Sequence, residues 1–447
     1  MSYWTESNGK RIGVLGLGLS GRAAARLLHS SGFSVIGLDS NEGVEHCEWC
    51  SELFRGEIDP ELMKSLDGLV LSPGVSPSSE LPSIALSLGL PMIGEIELAS
   101  HFTNAHVLAI TGSNGKTTTA EWLGYLLREA GRNAVVAGNV GFPFSLAVLE
   151  HPDTGFFVLE VSSYQLETVA TFRPSAAAIL NLTPDHLDRH GTMEEYGKAK
   201  ARIFLNQHSE DALVLNAEDP GLMLLRGLSR GVEMLFSRIE RVRHGADSVT
   251  GSITLCTDGE RIPFMTCSEI SLAGRHNLSN ALAVVCMAAS AGIEPAEMVP
   301  GLKGFPGVPH RIELIGEIDG VDFVNDSKST NVDSLKVALE SFTRPVVLLA
   351  GGKAKESDYS VLRNLLNEKA RAIVLFGEAA DELSLAWDDT VPVKTSETLP
   401  EAVGFALDLA RPGDVILLSP GCASFDQYGN FEERGEHFRE IVRSLSG

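Results

Sequence analysis

Residues 106–127 hold the feature that most constrains the fold. A short apolar run, HVLAI (106–110), leads into TGSNGKTTT (111–119). A helical pattern follows, with Trp122, Leu123, Leu126 and Leu127 recurring on one face. An apolar strand joined to a helix through a glycine-rich turn is the building unit of an α/β fold with a parallel sheet. The turn also has a chemical use. Glycines let backbone N–H groups crowd around an anion, and the helix start adds partial positive charge. Lys116 adds a full charge, and Thr117 offers a hydroxyl to Mg²⁺. The spacing is TGxxGKTT, because Ile110 stands where the commoner GxxxxGK[ST] form has its first glycine. The pattern predicts a nucleoside triphosphate site and leaves the reaction open.

The same alternation of strand and helix patterns runs through all 447 residues, so the class is α/β with largely parallel sheets. At roughly 150 residues per domain the length suggests three domains. The composition breaks suggest 1–98, 99–307 and 308–447, the last boundary falling at the Gly/Pro-rich KGFPGVP. A helix is expected over roughly 193–207. The net charge of −23 argues against a nucleic-acid partner, whose affinity rests on neutralised phosphates, and against an anionic membrane surface. No run approaches the ~18 apolar residues that span a bilayer, and the first residues are polar, so a cytoplasmic protein is expected. No heptad or apolar surface helix calls for a partner, and a monomer is expected. Six scattered cysteines do not read as a disulfide framework. Cys47 and Cys50 form a single CxxC beside His46, a poor zinc signal without a second pair.

A second glycine turn, GLGLSG (16–21), also follows a strand and opens a helix, and Asp39 ends the next strand. Gly16, Gly18 and Gly21 with a downstream acid fit a diphosphate site. A nicotinamide dinucleotide and a UDP-sugar both present a pyrophosphate to such a helix end. Farther on, LEVSSYQLE (159–167) puts Glu160 at a strand end, where an acid can complete a Mg²⁺ site. The strand AAAILNL delivers His186 into a loop. Thr192 and Glu195 then have capping-box spacing, and Tyr196 and Lys200 share a helix face. Asn277 and Asn280, three apart at a helix start, could read an adenine edge or merely cap.

Taken in order, TGSNGKTT, GNVG (138–141), LEVSSYQLE, PDHLDRH, the Tyr196/Lys200 helix, GRHNLSNA and PHRIE (309–313) resemble the Mur ligases of peptidoglycan synthesis over nearly the whole chain. SPGV (72–75), VNDSKSTNVDS (324–334), LLAGGKAKESDY (348–359) and LLSPGCASFDQYGNFEERGEHF (417–438) resemble the branch that adds D-glutamate. The resemblance implies ATP-driven amide formation through an acyl phosphate, with UDP-N-acetylmuramoyl-L-alanine as the acid and D-glutamate as the amine. It implies two Mg²⁺ ions, with Lys116, Glu160, His186 and Lys200 as the catalytic set. Thr117, Glu160, His186 and Lys200 would hold the metals. Lysine carries only donors, so Lys200 would act as its carbamate.

By the same resemblance Gly112, Asn114, Gly115, Lys116, Thr117, Thr118, Asn277, Asn280, Arg311 and Asp326 would bind ATP. Gly18, Ser20, Asp39, Ser72 and Asn139 would bind the UDP substrate. Lys328, Thr330, Lys355, Ser424 and Phe431 would bind D-glutamate, the third domain closing over ATP. Gly421, Tyr428 and Ala354 depart from the family pattern in that last region.

Overall fold

The computed structural model describes residues 3–139, 142–185, 187–257, 259–354 and 357–445. His186 and Lys355 lie outside the described residues. The chain forms two compact units, Met1–Ser271 with Leu278–Phe305, and Leu272–Asn277 with Pro306–Gly447.

The first unit holds two sheets. Strands β1 (Arg11–Leu15), β2 (Ser34–Asp39), β3 (Glu52–Arg55), β4 (Gly68–Leu71) and β5 (Met92–Gly94) form a wholly parallel sheet in the order β3-β2-β1-β4-β5. The helix Leu19–Ser30 follows the first glycine turn and buries Ala23, Ala24, Ala25, Leu27 and Leu28. The second sheet comprises β6 (His106–Thr111), β7 (Ala134–Gly138), β8 (Phe156–Glu160), β9 (Ala176–Ile179), β10 (Ala212–Asn216), β11 (Val232–Ser237), β12 (Gly245–Asp247), β13 (Ser252–Thr257) and β14 (Glu260–Thr266). Its order is β14-β13-β12-β11-β10-β9-β6-β8-β7, parallel from β7 to β12 and antiparallel through the last hairpin.

Helices cover both faces of the central strands, which explains why β6 reads as an unbroken apolar run. Val107, Leu108, Ala109 and Ile110 are all buried. Register places the site. Ile110 pairs with Glu160 and Thr111 with Ile179, so the phosphate-loop turn, Glu160 and the loop after β9 leave the sheet at one edge. The helix Lys116–Glu129 is locked from behind. Trp122 is fully buried, donates Nε1–H to the Gly301 carbonyl at 3.0 Å, and stacks on Phe305 at 5.2 Å. The helix expected over 193–207 runs only over Met193–Ala201. Arg202 is drawn to the carbonyls of Leu166 and Val169, and turns take over.

Two buried glutamates join the first sheet's last helix, Glu95–Ser100, to the second sheet. Glu97 accepts from the backbone N–H groups of Ala170, Thr171 and Phe172 at 2.8–2.9 Å and from the Thr171 hydroxyl at 2.5 Å. Burial works to raise its pKa, but the hydrogen bonds from His101, Thr171 and Ala170 outweigh it and bring the carboxyl down to about 2. Glu95 accepts the Ser145 N–H, at 2.5 Å, and its Oε2 is buried without a partner among the described residues. Burial pushes it up to about 7 against the hydrogen bonding from Ser145.

The second unit carries β15 (Glu313–Ile318), β16 (Val321–Asn325), β17 (Val346–Gly351), β18 (Ala370–Phe376), β19 (Val393–Ser396) and β20 (Val415–Gly421), in the order β15-β16-β20-β17-β18-β19. Only the β15–β16 pair is antiparallel. No helix among the described residues is long and apolar enough to cross a membrane.

The glutamate pair yields a pH prediction. A carboxyl whose folded pKa is raised favours folding below its ordinary 4.5, and that contribution is lost as pH climbs toward about 7. Glu95→Gln should therefore raise the Tm more at pH 8 than at pH 5. An equal gain at both values, by calorimetry, would remove the assigned burial penalty.

Candidate active site

The phosphate-loop turn is built as its sequence suggests. Gly115 caps the helix Lys116–Glu129 with φ +84°, a left-handed conformation, and a Cβ there would come within 2.6 Å of Asn280 Oδ1. The loop is strapped to the segment after β9. Asn114 N–H donates to Asn181 Oδ1 at 2.8 Å, and Asn181 Nδ2 returns a bond to the Asn114 carbonyl at 3.0 Å. Ser113 Oγ accepts from Thr183 N–H at 3.0 Å and lies 3.3 Å from the Tyr196 hydroxyl. Burial pushes the Tyr196 phenol up to about 12, so it stays protonated.

Two lysines meet on one carbonyl. Lys116 Nζ donates to the oxygens of Gly112 and Ser113 at 2.9 and 2.8 Å. Lys200 Nζ also donates to the Gly112 oxygen, at 2.9 Å, and lies 4.4 Å from the centre of the Tyr196 ring. The Lys200 side chain is 1% exposed. Burial first, and then the Lys116 charge, hold its ammonium well below the usual lysine range, against opposing pulls from Asp185 and Glu160.

Glu160 is buried at the end of β8. Its Oε1 accepts from Asn139 Nδ2 at 3.1 Å, while Oε2 is buried with no hydrogen-bond partner among the described residues. A buried carboxylate oxygen left unpaired is costly, and a hard cation would satisfy it. Among the described residues no group of three or more His, Cys, Asp or Glu side chains is placed to hold a metal. A cation here could draw on Glu160 and on the hydroxyl of the buried Thr117 at the helix start.

The other expected residues fall into separate places. Thr118 is buried one residue beyond Thr117. In the first sheet Asp39 accepts from the N–H groups of Leu17 and Asn41 at 2.7 and 2.8 Å, so it braces the glycine turn itself. Gly18 caps the following helix, which contains Ser20, and Ser72 N–H bonds the Leu15 carbonyl beside that turn. Asn277 is buried, and its Nδ2 donates to the Ala273 carbonyl at 2.8 Å.

In the second unit Asp326 is buried, accepts from Ser419 Oγ at 2.7 Å and Ile312 N–H at 3.1 Å, and is pushed by burial up to about 7 despite Ser419 and Arg311. Lys328 Nζ lies 5.6 Å from the Phe431 ring, Thr330 is half-buried beyond it, and Ser424 is buried. Two departures from the family pattern have local reasons. Gly421 adopts φ +67°, which an alanine Cβ would strain, and the Tyr428 hydroxyl is taken up by His437 Nδ1 at 2.8 Å. All six cysteines are free, and burial with Cys47 alongside pushes Cys50 up to about 12. Sequence reasoning missed Arg434 altogether, which is fully buried among these segments.

The class follows from comparison with known proteins. Three family descriptions match in succession: the MurD-like N-terminal domain of Mur ligases over residues 10–94, the Mur ligase middle domain over 110–288, and the Mur ligase glutamate ligase domain over 310–422. The chain belongs to the Mur ligase family. The UDP-N-acetylmuramoylalanine--D-glutamate ligase of Pelotomaculum thermopropionicum is 41% identical to it over 445 residues, covering 98% of each chain. The enzyme of the same name from Acidobacterium capsulatum is 42% identical over 452 residues, covering 99% of this chain and 98% of its own. The crystal structure of UDP-N-acetylmuramate-alanine ligase MurC from Thermotoga maritima matches 98% of this chain and 100% of that one at a TM-score of 0.58. At 19% identity this is a likeness of fold.

The loop geometry carries its own test. Gly115→Ala combines an unfavourable φ with the approach of Asn280 and should cost about 1–3 kcal/mol of stability. A urea midpoint equal to that of the parent protein would contradict the strain.

Proposed function

We propose that the chain is the ATP-dependent ligase that adds D-glutamate to UDP-N-acetylmuramoyl-L-alanine in the cytoplasm, acting as a monomer. The observation that carries this reading is the meeting of Lys116, Lys200 and the unpaired Glu160 oxygen around the phosphate loop, in a chain that aligns end to end with enzymes of that name.

The chemistry has one central difficulty. A carboxylate is a poor electrophile, and ATP, the acid substrate and D-glutamate are all anionic. The loop N–H groups from Gly112 to Thr118 cradle the triphosphate, and Lys116 turns from its two loop carbonyls to the terminal phosphate. The substrate carboxylate attacks the γ-phosphorus. The bond to the ADP oxygen breaks, and an acyl phosphate forms. The D-glutamate amine then attacks the acyl carbon and loses a proton, and phosphate leaves. When bound, Mg²⁺ offsets the charge on the phosphate oxygens. Thr117, Glu160, His186 and Lys200 would hold it, with Asn139 orienting Glu160.

Lys200 serves as a ligand only after its neutral amine adds CO₂ and releases one proton, leaving a carbamate whose oxygens replace the ammonium. The depressed basicity of Lys200 supports that step. Asn280, packed against the loop, reads adenine, and the family pattern adds Asn277, Arg311 and Asp326. Residues 1–98 hold the UDP end through Gly18, Ser20, Asp39 and Ser72. Residues 308–447 receive D-glutamate through Lys328, Thr330, Lys355, Ser424 and Phe431.

Phosphate release from ATP and Mg²⁺ should require both UDP-N-acetylmuramoyl-L-alanine and D-glutamate, and L-glutamate should not substitute. A substrate labelled with ¹⁸O in its carboxylate should pass one label to the released phosphate. Unlabelled phosphate would refute the acyl phosphate. Lys200→Ala should lose about a hundredfold or more in kcat, on the scale of removing one transition-state electrostatic contact, and full activity would contradict its metal role.

A further inference from the structure

A cavity at the amino ends of β11 and β12 belongs to none of the sites above. Its volume is about 380 Å³, and Arg226, Val232, Glu233, Leu235, Arg243 and His244 line it. Val232 is the first residue of β11, and His244 directly precedes β12. The phosphate loop, by contrast, leaves β6 at its carboxyl end. These strands are parallel, and β9 and β10 stand between β6 and β11. The ligands of a parallel sheet gather at the carboxyl ends of its strands, so the cavity is a separate place and no extension of the ATP site.

Hydrogen bonds hold the lining in shape. Glu233 accepts the Gly227 N–H at 2.5 Å and Arg226 Nε at 3.1 Å. The carboxylate charge is thus spent on the turn and on one edge of the Arg226 guanidinium. The Leu235 N–H donates to the His244 carbonyl at 2.8 Å, which sets Arg243 and His244 beside β11. Among the described residues the Arg243 guanidinium and the His244 ring have no hydrogen-bond or ion-pair partner. Val232 and Leu235 supply an apolar wall.

The charge of the region is opposite to that of the chain. The whole protein carries −23, yet between residues 226 and 244 five arginines stand against two glutamates. Such a local excess draws anions to a concave surface, and guanidinium forks match phosphate and carboxylate oxygens in pairs. The volume falls in the range of roughly 300–1,000 Å³ that small-molecule sites occupy.

We propose that this cavity is a second ligand site, separate from the ligase centre, for a small organic dianion: a phosphate monoester or dicarboxylate with a short apolar body. Arg226 and Arg243 grip the charged group, His244 adds a ring nitrogen, and the apolar body rests on Val232 and Leu235. The site stands whether or not D-glutamate is the amine of the reaction.

The test is isothermal titration calorimetry of the full-length protein at low ionic strength, with phenyl phosphate and, separately, phenylsuccinate as probes. At least one probe should bind saturably at one equivalent, and the tighter of the two identifies the anion. Arg243→Gln should weaken that binding about tenfold or more, as should Arg226→Gln, the effect of losing a charge-assisted hydrogen bond. Both arginines are exposed, so neither replacement threatens the fold. Lys116→Ala should leave the affinity within about twofold, because the phosphate loop is elsewhere. No saturable binding of either probe, an affinity unchanged in both arginine variants, or binding lost in Lys116→Ala overturns the assignment.

Discussion

Two amines on one carbonyl oxygen set the terms of the active site. Lys116 and Lys200 both reach the Gly112 oxygen at 2.9 Å, one from the helix that the loop opens and one from a helix 88 residues from Gly112. Two full positive charges that close, with one of them almost wholly buried, repel strongly in a medium of low dielectric. Burial and the Lys116 charge both act to lower the basicity of Lys200, against the pull of Asp185 and Glu160. On the proposed reading, the crowding that disfavours the ammonium favours the carbamate at Lys200.

The fold sustains this arrangement by register. Because β6, β8 and β9 are parallel and aligned, the loop, Glu160 and the Asn181–Thr183 segment emerge together. The Asn114–Asn181 and Ser113–Thr183 bonds then stop the loop from drifting. Trp122 and Phe305 hold the helix behind it. The second unit solves a different problem by a similar device. There a buried guanidinium, rather than a helix start, collects loops whose residues are distant in sequence. In both units, strained or costly groups sit beside the residues proposed to carry the chemistry, as Gly115 and Arg434 do.

The strand, turn and helix around Lys116 were readable because strand period, glycine and helix period coincide within twenty residues. Tyr196 and Lys200 were readable as neighbours because four-residue spacing puts them on one face. That they approach the phosphate loop was not, since the contact depends on packing between elements far apart in the chain. Asn139, expected from the resemblance as a substrate ligand, donates to Glu160, because backbone pairing at the end of β7 aims it there. The strands β3 and β5, of four and three residues, are too short for a periodicity and exist through the neighbours they pair with. Glu97 and Arg434 carry no sequence signal, for a charged residue on a helix ordinarily faces water. Gly421 looks like a mere departure from pattern until its φ is known.

The ionisation state of Lys200 is the property on which the account turns. Protein equilibrated with ¹³C-bicarbonate and observed by ¹³C NMR should show one slowly exchanging carbamate signal that disappears in Lys200→Ala. A spectrum with no such signal, together with a Lys200 that titrates in the ordinary lysine range, would contradict it.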